Sequence, residues 1–97
     1  MLISLKKFGT TLTSRQLGKE AFAAFKPSLE DVGDGEKIEV DFDGVITFSP
    51  SWGAEFLAPL LEKYGKNVVL LNTSNSSVKA TLKLLEDFEG MKFVVQS

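Results

Sequence analysis

The chain has 97 residues, of which 43% are hydrophobic and 25% charged, and its net charge is −2. That length suits one compact domain and not two, with modest stability unless the domain dimerises. Cysteine and histidine are both absent, which excludes a disulfide framework, a thiolate metal site, a thiol nucleophile and the commonest general base.

Residues 1–7 alternate loosely, with Ile3 and Leu5 on one side and Ser4 and Lys6 on the other. The pattern predicts an edge strand. Its apolar content is too short and too broken by Ser4, Lys6 and Lys7 for a signal peptide or a membrane span, so the expectation is a soluble cytoplasmic protein. Gly9 and Thr10 turn the chain. Thr13 then predicts an N-cap, Gln16 three residues later would complete a capping box, and Leu12 with Leu17 would form the flanking staple. The first helix should bury Leu17, Ala21, Ala24 and Phe25, with Gly18 weakening it slightly and Pro27 ending it.

Residues 31–36 hold two glycines and read as an exposed loop. Residues 37–43 alternate cleanly: Ile38, Val40 and Phe42 face one way, Glu39, Asp41 and Asp43 the other. This is a strand with one covered face. A second helix begins near Ser51 and should bury Trp52, Phe56, Leu57, Leu60, Leu61 and Tyr64. Pro59 falls inside it and should kink it or leave one carbonyl unpaired. Gly65 is placed to close it. Residues 67–71 read as a central strand. Residues 72–77 are a polar turn rich in capping side chains. Val78, Leu82, Leu85 and Phe88 mark a third helix, which Gly90 breaks. Met91, Phe93 and Val95 predict a last strand. The order β-α-β-α-β-α-β implies an α/β sandwich joined by right-handed crossovers.

Two stretches carry chemical suggestions. Asp41-Phe42-Asp43-Gly44-Val45 after a hydrophobic strand resembles the first motif of haloacid-dehalogenase-type phosphohydrolases, and Val68-Val69-Leu70-Leu71-Asn72-Thr73 resembles their second. That resemblance implies Asp41 as nucleophile and Asp43 as acid and base, with Mg²⁺. The later acidic pair that such enzymes need to hold the metal is missing: Glu86, Asp87 and Glu89 lie in or just after a predicted helix. The alternation of residues 37–43 explains Asp41 and Asp43 more simply, as the wet side of a half-buried strand.

The second resemblance spans about residues 2–95. Val40-Asp41-Phe42-Asp43-Gly44-Val45 leading to Ser49-Pro50-Ser51 is similar to the signature of the STAS domain, the fold of bacterial anti-sigma factor antagonists. Leu12-Thr13-Ser14-Arg15 opening the first helix, and Val69-Leu70-Leu71-Asn72-Thr73-Ser74 leading into the third, agree with it. The Phe8-Gly9 turn and the Ser49-Pro50-Ser51-Trp52 junction look closest to a divergent STAS-like branch of unknown function. That branch occurs in bacteria, sometimes beside histidine-kinase-type ATPase domains.

The resemblance implies a STAS-like sandwich with a mixed four-stranded sheet and helices mainly on one face. It implies a signalling module without catalytic residues or cofactor. Its partner would be a protein, of the histidine-kinase-type ATPase or anti-sigma-like class. With no basic tract, nucleic acid is not expected. Partner contact would fall on Gly44, Ser49, Pro50, Ser51 and Trp52, with Thr13, Ser14 and Arg15 beside them. A phosphoserine at the start of the second helix would switch that contact by charge. Pro50 occupies the expected acceptor position, which leaves Ser49 or Ser51; either also reads as a plain N-cap, and Pro50 as a first-turn residue. Trp52 reads as an interface anchor or, with Phe56, as core. Thr13, Ser14 and Arg15 read as an anion site or as a cap with a solvated arginine.

Overall fold

The computed structural model describes residues 1–96. The predicted order holds, with two short additional strands. β1 (Leu2–Ser4) and β2 (Thr11–Leu12) precede α1 (Arg15–Phe25); β3 (Ile38–Asp41) and β4 (Thr47–Phe48) precede α2 (Pro50–Tyr64). β5 (Val68–Leu71), α3 (Ser76–Glu89) and β6 (Val94–Val95) complete the chain.

The main sheet has the order β1-β3-β5-β6. All three of its pairings are parallel, with Ile3 opposite Val40, Val40 opposite Leu70, and Leu70 opposite Val95. The expected mixed sheet is thereby corrected. Each connection passes through a helix, so every strand re-enters in the same direction. The core forms where Ile3, Ile38, Val40, Val68 and Leu70 meet Phe25, Trp52, Phe56, Leu57, Val78, Leu82 and Leu85. The helices thus pack on one face of the sheet. Phe8, Phe22 and Phe25 close round Phe56, whose ring stacks on Trp52 at 5.0 Å between centroids.

Several element ends differ from expectation for local reasons. β1 stops at Ser4 because Leu5–Phe8 wind into a 3₁₀ turn, with Gly9 N–H donating to the Lys6 carbonyl. The cap of α1 is Ser14 and not Thr13: its hydroxyl accepts from Leu17 N–H at 3.1 Å. That one-residue shift dissolves the predicted capping box and turns Leu17 outward, 59% exposed, so the staple with Leu12 does not form. Ala24 is exposed too. The buried stripe of α1 is Gly18, Ala21 and Phe25. Gly18 is a packing residue: a Cβ there would lie 2.8 Å from the Trp52 carbonyl oxygen.

Pro59 sits inside α2 without ending it. Phe88, predicted as core, is 80% exposed at the end of α3, while Thr81 takes a buried position beside Val78, Leu82 and Leu85. Only Val94–Val95 of the last predicted strand pair with β5; Met91 and Phe93 lie half-buried against the core. No helix among the described residues is long and apolar enough to cross a membrane.

Candidate functional site

The segment between β3 and α2 starts with a tight turn. Asp41 ends β3, and its Oδ1 accepts from the Asp43 N–H at 2.9 Å and from Asn72 Nδ2 at 2.7 Å. The first bond is an Asx-type turn, in which a carboxylate substitutes for a backbone acceptor. Gly44 follows with φ +85°, and the Lys6 side chain lies across it so closely that a Cβ would meet Lys6 Cδ at 2.6 Å. A glycine satisfies both the positive φ and the contact. Among the described residues no three His, Cys, Asp or Glu side chains cluster as a metal cage would require.

Beyond the turn the chain is tied on both sides. Ile46 and Thr47 N–H both donate to the Thr10 carbonyl, at 2.8 and 3.1 Å, and Ser49 N–H donates to the Leu12 carbonyl at 3.0 Å. These bonds belong to a parallel pairing in which Thr11 faces Thr47 and Leu12 faces Phe48. On the other side Asn75 Nδ2 donates to the carbonyls of Val45 and Ile46, at 3.2 and 3.1 Å. Ser77 Oγ accepts from Phe48 N–H at 3.0 Å, and Ser77 and Thr81 hydroxyls both donate to the Phe48 carbonyl. Asn75 serves α3 as well: its Oδ1 accepts from the N–H groups of Ser77 and Val78.

At the start of α2, Ser49 caps the helix by accepting from Trp52 N–H at 3.3 Å. The same hydroxyl donates to the Thr13 carbonyl at 2.8 Å. Pro50 takes the first helical position and is exposed; Ser51 follows, half-exposed, with no side-chain hydrogen bond among the described residues. Arg15 reaches over from α1 to Glu55 at 3.4 Å. This exposed pair contributes little to stability.

The structure therefore brings Thr13, Ser14 and Arg15 beside Ser49, Pro50 and Ser51. Gly44 lies at the far end of the loop, against Lys6. Trp52 is 1% exposed. As a contact residue it is corrected: it supports the loop from beneath and presents nothing to a partner. Arg15 is engaged with Glu55, and Ser14 is a cap.

Sequence reasoning missed Asn75, Ser77 and Thr81 as the residues that hold the loop. Thr81 carried a signal, since it falls in the apolar phase of α3 between Val78 and Leu82, and a hydroxyl there needs a partner. Asn75 and Ser77 looked like ordinary capping choices, and their second role depends on packing across elements. A shallow groove of about 630 Å³ opens elsewhere, at the other end of α2, between Ala58, Leu61, Met91 and Phe93. No known protein family matches this chain, and neither a curated protein nor a solved structure is significantly similar to it.

Proposed function

We propose that this chain is a STAS-like regulatory module that binds a protein partner and catalyses nothing itself. Its contact surface is the start of α2 with the loop before it, Gly44, Ser49, Pro50 and Ser51, and the adjoining Thr13, Ser14 and Arg15. A histidine-kinase-type ATPase or anti-sigma-like regulator is the partner class. The observation that carries the reading is the contrast between two serines. Ser49 Oγ is committed to the α2 cap and to Thr13, whereas Ser51 Oγ is uncommitted and half-exposed at the second position of a 15-residue helix. A phosphoryl group on Ser51 would meet the positive end of the helix dipole and displace no existing bond. It would add nearly two negative charges to the docking surface without moving the fold. On Ser49 the same group would remove the hydroxyl hydrogen and so break the bond to the Thr13 carbonyl.

Asp41 supports the non-catalytic reading. One carboxylate oxygen is occupied by the Asp43 N–H and Asn72, as a turn-former's would be. The test is capture of an ATPase-type regulator from the native host on the purified chain, repeated with Ser51→Glu and Pro50→Arg. Both variants should fold normally and lose the partner. Magnesium-dependent hydrolysis of a generic phosphate ester, abolished by Asp41→Asn, would instead establish the phosphohydrolase alternative.

A further inference from the structure

Arg15 stands where the starts of α1 and α2 are fastened together. The Ser49 hydroxyl donates to the Thr13 carbonyl at 2.8 Å, which ties the residue two before Arg15 to the residue two before Ser51. Further along, Gly18 of α1 lies so close to α2 that a Cβ would meet the Trp52 carbonyl oxygen at 2.8 Å. Arg15 and Ser51 fall between these two contacts, one on each helix.

The Arg15 side chain already crosses to α2. Its Nη1 donates to Glu55 at 3.4 Å, while Nη2 and Nε have no acceptor among the described residues. Ser51 precedes Glu55 by one turn, so the two side chains are neighbours on one side of the helix, about 5–6 Å apart at Cβ. Side chains on a helix tilt toward its N-terminus, which leans Glu55, and the guanidinium it holds, toward Ser51. A phosphoserine at 51 would set nearly two negative charges beside the Glu55 carboxylate, a like-charge pair that destabilises a helix. A guanidinium between them removes that repulsion. Its planar fork serves two acceptors at once with fixed geometry, which an ammonium does not. Arg15 is 61% exposed and its pair with Glu55 is weak, so small reorientations cost little.

We infer that Arg15 reads the phosphorylation state of Ser51: its open guanidinium donors take up the phosphoryl oxygens while Nη1 stays with Glu55, and the start of α1 is locked to α2. This inference rests on the reading of Ser51 as the phosphoacceptor. The group comes from a nucleoside triphosphate held by the partner. The bond from Ser51 Oγ to the γ-phosphorus forms, the bond to the nucleoside diphosphate breaks, and the hydroxyl proton passes to solvent. The docking surface then gains an anion and loses the open donors of Arg15 in one step.

The test uses the full chain with phosphoserine installed at 51, alone and combined with Arg15→Gln or Arg15→Lys, and follows phosphorus NMR against pH. The helix dipole acts on the phosphoryl group alike in all three chains, so their differences isolate Arg15. The second phosphate pKa, ordinarily about 6, should lie about 0.5 lower with Arg15 in place than in Arg15→Gln, an about threefold difference in proton affinity. Arg15→Lys should recover only part of it. Identical titrations with and without Arg15 overturn the inference, even where phosphorylation releases the partner. Full recovery in Arg15→Lys overturns it too, since a bare charge would then suffice. A titration that responds to Arg15 while the partner stays bound sustains the role of Arg15 and overturns the partner switch instead.

Discussion

Asn75→Ala removes four hydrogen bonds from one side chain, two at the start of α3 and two to the loop before α2. Loss of the cap costs about 1 kcal/mol. The two loop carbonyls are partly or fully wet, so water replaces much of what they lose, and together they account for about 1 kcal/mol more. The total of about 2 kcal/mol is a lowering of the melting temperature by about 10 °C in a domain of this size. Asn75→Asp separates the two roles. The carboxylate still caps α3, favoured by the helix dipole, but an oxygen now faces the Val45 and Ile46 carbonyls. That variant should lose about 1 kcal/mol, all of it from the loop. Urea denaturation gives the energies. Amide hydrogen exchange at Ile46 and Phe48, whose N–H groups bond to Thr10 and Ser77, reports the loop directly. If Asn75→Asp retains wild-type stability and unaltered exchange at both amides, the Asn75 side chain does not hold the loop and the reasoning fails.

Two further outcomes are expected. Gly18→Ala should destabilise by about 1 kcal/mol or more in urea, although alanine favours helix by about 1 kcal/mol, because the new methyl would press on the Trp52 backbone. Glu36 accepts from the Gly33 N–H and lies beside the Met1 amine, and together these hold its carboxyl below the ordinary value. A group with a depressed folded-state pKa stabilises the fold above its unfolded pKa and stops doing so as the pH falls through the folded one. The Glu36 contribution should therefore fade below about pH 4 and be missing from Glu36→Gln. An NMR titration of the Glu36 side chain checks the direction.

The regular elements were legible because hydrophobic period follows burial. Ile38, Val40 and Phe42 alternate, and all three are buried; Trp52, Phe56, Leu57 and Leu60 recur at helical spacing, and all are core. The failures fall where local signals compete. Thr13 and Ser14 are both good caps; Ser14 takes the position, while the Thr13 carbonyl accepts from the Ser49 hydroxyl of another segment. Phe88 keeps the apolar phase of α3, but it lies one turn past the last residue the core can reach. β2 and β4 are two residues each and leave no periodic trace. The candidate surface was legible as a strand-to-helix junction. That Ser49 is occupied and Ser51 free was not, because it depends on the Thr13 carbonyl of another segment.

The short β2–β4 ladder has a consequence for any epitope mapping of this molecule. It zips two connections from different parts of the chain into one unit, and the Ser49 hydroxyl fastens the seam where α1 and α2 begin. Substitutions near Leu12 and near Ser49 should then be energetically non-additive despite their separation in sequence. A ligand gripping either connection would stiffen both.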